Sequence, residues 1–289
     1  MFLVMKYTKY LIMNKNKVKT LKSTAMAIMF FGLMTIVATV SVQAQTELSS
    51  PLITTTGPNV LGAGHIQWNS SVEGHDASVW NTYGFDAHSY SFGATTGIRF
   101  GVGSRAELTF SMVGNYNMWD TTIFRNTLFF RPAVGARLLL TEGKGWVPQI
   151  TFFTQVGVSF VQPLEQQKEW DRMVHPELGL QCRNRLGQRW LLDYTLGYSW
   201  NKYSLSAYDF ENEVLFALAV RYLVSNRLLL GVAVSNMNSM RRPIGEFEVG
   251  YLASPDLQLT FRAGISGSRG SIGGDTQANA LAGVSWMIR

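Results

Sequence analysis

From residue 190 the chain reads WLLDYTLGYSWNKY, and its large apolar or aromatic side chains fall on alternate positions: Trp190, Leu192, Tyr194, Leu196, Tyr198 and Trp200. After Leu191, the intervening positions hold Asp193, Thr195, Gly197, Ser199 and Asn201. Successive side chains of a strand point to opposite faces, so a period of two predicts one strand with an apolar face and a polar face. Strands of soluble domains run about 5–6 residues, whereas a tilted strand crossing a bilayer needs about 9–11. This segment is long enough to cross. Its apolar face ends in Trp at both extremities, where a membrane–water interface favours rings that are part apolar and part polar.

The alternation continues to the C-terminus, interrupted by five short turns: GVGSRAEL (101–108), LTEGKGWV (140–147), NRLGQRWL (184–191), LVSNRLLL (223–230) and LASPDLQL (252–259). Each carries Gly, Asn, Ser, Pro or Asp at the bend, residues that accept or pre-set turn dihedrals. Longer, more polar connections are expected around 75–87, 118–123, 162–172, 203–209, 238–242 and 268–274. Together these breaks divide residues 62–289 into twelve strands, an even number. Short turns at one end and longer loops at the other are the asymmetry of outer-membrane barrels, with the short turns on the periplasmic side. The predicted fold is therefore all-β, a transmembrane antiparallel β-barrel of twelve strands. A propeller would pack four short strands into each interval that here holds two long ones. A soluble sandwich would leave too much apolar surface in water.

The barrel reading predicts aromatic belts. Beside the short turns stand Phe100, Trp146, Trp190, Tyr222, Tyr251 and, at the end of the last strand, Trp286. At the opposite ends stand Tyr90, Tyr116, Phe160 and Trp200. All keep the outward parity of their strands, as a lipid-facing girdle requires.

Charge changes the picture at the N-terminus. The chain has 25 Lys and Arg against 19 Asp and Glu, a formal charge of +6. Six of the lysines (Lys6, Lys9, Lys15, Lys17, Lys19 and Lys22) lie before residue 45, where there is no acid; 25 minus 6 leaves 19 against 19. The lysines precede the apolar run TAMAIMFFGLMTIVATV and then VQAQ, the order of a secretory signal peptide. Residues 1–44 are expected to be that signal, with Met13 as an alternative start. Residues 45–61 are then a periplasmic N-terminal segment and Gln45 the first mature residue. A retained anchor is the other reading, and the run is short for a spanning helix. The expected location is the bacterial outer membrane. The expected partners are membrane lipid and lipopolysaccharide, the outer-membrane assembly machinery and a small-molecule solute of unknown identity. A mature chain without net positive charge gives no support to nucleic-acid binding.

Polar parity supplies the candidate chemistry. Arg99 points inward, and Arg125, Arg131 and Arg137 recur every six residues on one inner face. Glu211 and Glu213, and Glu246 and Glu248, face inward from strands farther round. The expectation is a basic wall facing an acidic wall, able to sort solutes by charge as rings of charge do in pores. The alternative is that pairs such as Arg262 with Glu248, or Arg221 with Glu213, neutralise a filled interior. Twelve strands lie between the filled eight-stranded barrel and the open sixteen-stranded pore. His75 and His88 are expected beside an external loop, His65 and His175 inside on separate strands. No GxSxG, HExxH or phosphate loop is present, so catalytic residues, metal ligands and cofactors are all read as none. An outer-membrane hydrolase and a non-conducting structural or receptor barrel remain alternatives to a channel.

Three stretches, LITTTGPNVLGAGHIQWNSSVEG (52–74), GATTGIRFGVGSRAELTF (93–110) and LAVRYLVSNRLLLGVAVSN (218–236), resemble the bacterial outer-membrane "transporter" family labelled MetA-pathway of phenol degradation. The likeness lies in the Gly64-His65-Ile66-Gln67 entry to the first strand and the Ser104-Arg105-Ala106-Glu107-Leu108 turn. In place of an Asp-Arg-Pro in the opening segment this chain has Thr55-Thr56-Gly57-Pro58. The resemblance implies a barrel passing small, aromatic or hydrophobic molecules, and it brings no catalytic residues.

Overall fold

The computed structural model describes residues 58–80, 86–119, 126–144, 146–163, 171–204, 209–236, 244–266 and 277–288. The expected signal segment and Arg125 lie outside the described residues. Twelve strands form in chain order: β1 (Ile66–Trp80), β2 (Asp86–Gly101), β3 (Ala106–Trp119), β4 (Thr127–Lys144), β5 (Val147–Pro163), β6 (Asp171–Leu186), β7 (Trp190–Ser204), β8 (Asp209–Leu223), β9 (Leu228–Ser235), β10 (Ile244–Ser254), β11 (Leu257–Ser266) and β12 (Gln277–Ile288). Each pairs antiparallel with its sequence neighbours, and β12 closes on β1 from Ile66↔Ile288 to Ala77↔Gln277. Closure leaves no edge strand, so every ladder has a partner without water, the condition for crossing lipid with strands. Among the described residues no helix is long and apolar enough to cross a membrane.

The two faces separate as the alternation requires. Leu196 (63 % exposed), Val232, Phe92, Phe110, Val134 and Phe247 stand on the outside, spread over β2, β3, β4, β7, β9 and β10. An apolar band running round the whole circumference has no stable place in water and fits a bilayer. Toward the short turns Phe100, Trp190, Tyr222, Tyr251 and Trp286 face outward, and Trp146 projects from the 146 turn at 88 % exposure. Trp190 and Tyr222, opposite each other in register, stack with centroids 4.7 Å apart. Tyr90, Tyr116, Phe160 and Trp200 occupy outward positions nearer the other end.

Two local departures have chemical reasons. The alternation of β7 stops at Trp200 because the register with β8 shifts between Ser199 and Lys202. The bulge is taken up by Asn201 at φ 54°, a left-handed conformation that Asn tolerates better than most residues. The short β9 ends at Ser235, and Asn236 then continues its pairing with side-chain atoms. Its Nδ2 donates to the carbonyl of Val214 at 2.6 Å, and its Oδ1 accepts from the N–H of Phe216 at 2.7 Å.

The strands run farther than the sequence pattern suggested. β1 extends to Trp80 and β2 begins at Asp86, so the connection expected at 75–87 narrows to 81–85. His75 is correspondingly a strand residue, buried on the inner face, rather than the flank of an external loop. His65 is exposed ahead of β1, where its Nδ1 lies 3.2 Å from the carbonyl of Gly62, instead of inside. His175 is inside and 1 % exposed.

Candidate functional site

The inner face near the short turns is organised around Glu107, the second residue of β3. Arg137 faces it directly across the β3–β4 register, and Arg99 on β2 lies one diagonal step away. Arg99 donates from Nε and Nη2 to the two carboxylate oxygens, each at 2.8 Å, the side-on fork that guanidinium and carboxylate planes favour. Arg137 Nη1 donates to Oε1 at 2.8 Å, and the backbone N–H of Leu61 donates to Oε2 at 2.8 Å. Two further donors are engaged: Arg99 Nη1 donates to Gln67 Oε1 at 2.7 Å and Arg137 Nη2 to Gln181 Oε1 at 2.6 Å.

Leu61 belongs to a stretch ahead of β1 that lies across these inward side chains. The carbonyl of Asn59 accepts from Arg99 at 2.6 Å and from Arg137 at 3.1 Å. The carbonyl of Pro58 accepts from the hydroxyl of Thr151 and, at 3.5 Å, from Gln149. Every one of these contacts reads the backbone of residues 58–61. The stretch is clamped at its far end by Gly101: Gly101 N–H donates to His65 O and Gly64 N–H to Gly101 O, both at 2.9 Å. A Cβ on Gly101 would collide with the carbonyl oxygen of Gly62.

On the other side of the barrel five charges alternate in sign. Arg183 (β6) forks onto Asp193 (β7) at 2.6 and 2.9 Å. Arg221 (β8) bridges Asp193 and Glu248 (β10), with Nε 2.9 Å from Glu248. Arg262 (β11), opposite Glu248 in register, lies 3.8 Å from it. Between β8 and β10 runs β9, and Gly231 stands level with both Arg221 and Glu248. An added Cβ there would lie 3.0 Å from Arg221, so glycine leaves the room in which the two side chains meet across β9. Other inward glycines act alike: Gly93 under Glu73, Gly157 under His175, and Gly264 under Glu246 and Asn279.

Farther from the short turns, acids prevail. Glu177 lies 3.7 Å from Arg131 and 3.8 Å from His175, and accepts from Ser199 at 3.2 Å. Glu73 pairs with His75 at 3.4 Å, Glu246 accepts from Asn279 at 2.9 Å, and Glu213 from Asn236 at 2.9 Å. Ser199 donates to the carboxylate that also neighbours the imidazole, whereas a hydrolytic triad runs hydroxyl, imidazole, acid. Among the described residues no group of three or more His, Cys, Asp or Glu could hold a metal ion.

These positions revise the expected arrangement of charge. The column on β4 is divided: Arg137 belongs to Glu107 on the adjacent strand, and Arg131 to Glu177. Arg221 turns to Asp193 and Glu248 instead of Glu213. Glu211 lies on β8 opposite Lys202. The lower layer holds Arg99, Arg137, Arg183, Arg221 and Arg262 against Glu107, Asp193 and Glu248, five positive against three negative charges. The upper layer, among the described residues, holds Glu73, Glu177, Glu213 and Glu246, with Arg131 beside Glu177 and Arg262, two strands from Glu73 at the level of Leu281, reaching up from below. Charge is therefore stratified along the axis rather than set wall against wall. Apolar side chains also face inward, with Phe129 and Val161 packed together beside Val113 toward the longer connections.

No family model and no curated protein matches the chain. Solved structures share its fold. An outer membrane channel from Pseudomonas putida F1 is 11 % identical, with 79 % of this chain and 97 % of that one covered and a TM-score of 0.54. The translocator domain of the autotransporter NalP from Neisseria meningitidis is 12 % identical over 78 % and 89 % of the two chains, TM-score 0.48. The Ralstonia pickettii toluene transporter TbuX is 8 % identical over 84 % and 96 %, TM-score 0.47.

Proposed function

We propose that the mature chain is an outer-membrane channel for the passive passage of small molecules, exported by a cleaved signal at residues 1–44. The observation that carries this reading is the placement of residues 58–61 against the lumen wall at the short-turn end. They are held through main-chain atoms on a polar lumen wall, so they can leave without unmaking the barrel. The likeness in fold to an outer membrane channel supports it. Aromatic or hydrophobic solutes, which the family resemblance implies, would meet the inward patch of Phe129, Val161 and Val113 from the side of the longer loops. The two charge layers would then rank solutes by sign. No catalytic residue or cofactor enters this reading.

Planar-bilayer recording of the refolded mature chain tests it directly. A stable conductance is expected, and a folded, inserted barrel that stays silent under all voltages overturns the channel. Gly101→Ala should raise the conductance or the open fraction, because the new methyl group displaces residues 61–62 from the wall. Arg131→Glu removes the arginine beside Glu177 and puts a carboxylate in its place. The reversal potential should move toward cation preference, more strongly at low salt where fixed charge is least screened. An unaltered preference in a conducting variant contradicts the stratified lumen.

A further inference from the structure

We propose that the outer wall carries a binding site for a phosphorylated, acylated glycolipid of the leaflet at the long-loop end. The inference rests on the wall meeting lipid and is independent of conduction. On the outward faces of β2 to β6 lies a depression of about 770 Å³, a size usual for small-ligand sites. Its order follows the strand registers. Phe92 is opposite Tyr116, Gly114 opposite Phe130, Phe130 opposite Phe160, and Phe160 opposite Arg172. Aromatic rings thus wall a floor where Gly114 presents no side chain, and a Cβ there would meet nothing within 4 Å. The Phe130 and Phe160 rings are 6.3 Å apart and tilted by 44°.

Arg172 closes the row at its end. It is the second residue of β6, exposed on the outward face, with its guanidinium 5.9 Å from the Phe160 centroid and no salt bridge to the described residues. At the headgroup level an exposed arginine carries little desolvation cost and is free to meet a lipid anion. Arginine's planar fork matches a phosphate in two parallel hydrogen bonds. The depression opens sideways onto lipid, so its occupant is anchored by acyl chains, with the phosphate at headgroup depth. A soluble phosphate would meet the guanidinium alone and make no use of the rings.

The refolded mature barrel in detergent micelles, given diphosphoryl lipid A and examined by native mass spectrometry, provides the test. Wild type should retain lipid A. Arg172→Gln should retain it about tenfold less well, the scale of one lost charge-assisted contact. Gly114→Leu, which fills the floor, should lose it similarly. Each variant is first checked for barrel folding by heat-modifiable gel mobility, and Ala94→Leu, on the same floor, replaces Gly114→Leu if that chain does not fold. Equal retention by wild type and variants, or none by wild type, overturns the site. Displacement by millimolar inorganic phosphate shows a small-anion site, and equal retention of phosphatidylglycerol a general anionic-lipid surface; either result also overturns the proposal.

Discussion

Glu107→Ala should destabilise the barrel by about 3–5 kcal/mol, the usual cost of leaving buried cations without their carboxylate. The side chain is fully enclosed, and its two oxygens receive Arg99, Arg137 and the N–H of Leu61. Alanine would leave two guanidinium groups within the lower layer with their main counter-charge gone, and would free residues 58–61 as well. Urea titration of the refolded chain in vesicles measures the loss. Adding Arg137→Met to Glu107→Ala removes one of the orphaned charges and should restore part of the stability. Strict additivity of the two changes would show that Glu107 does not act through Arg137.

A second large effect is expected on the opposite face. Leu196 sits at the seventh position of β7 and is 63 % exposed toward lipid. Leu196→Arg places a charge near the bilayer midplane, at a cost of about 2–4 kcal/mol. Leu196→Ala is the control, because lipid tails fill the space that the shorter side chain leaves. The arginine variant should lose the heat-modifiable compact form or fold at lower urea, while the alanine variant stays near wild type. Equal midpoints for the two would remove this face from the membrane.

The barrel was legible because its outer face has to satisfy lipid. That demand is one-dimensional, a large apolar side chain every second residue, and it survives in WLLDYTLGYSW as a visible rhythm. Where strands rise beyond the lipid band the demand lapses. Residues 75–80 and 86–87 therefore look like loop although β1 and β2 pair across all of them. The interior was legible in direction but not in partnership. Parity placed Arg99, Arg137, Glu248 and Arg262 on the inner face, but which acid meets which base depends on closure, stagger and the gaps left by glycine. Arg221 reaches Glu248 over a strand that contributes only Gly231 at that level. Glu107 was hidden by its position. It falls inside GVGSRAEL, where the signal for a turn masks the first inward residue of β3. Asp193 was visible as a polar-face residue of the strand that opens at Trp190, and its two arginine partners, on β6 and β8, could not be seen from that strand alone.

The inward glycines determine which of the enclosed side chains project toward the barrel axis. Glu73, His175 and Arg221 each lie over a neighbouring strand's glycine, folded against the wall. The bore of this barrel is thus set by recesses in its lining as much as by strand number. Changing Gly93, Gly157 or Gly231 to a larger residue would retune the lumen without touching a single ionisable group, by turning a charge or imidazole that now lies flat toward the axis. For anyone reshaping such a lumen, these glycines are the adjustable parts and the arginines the fixtures.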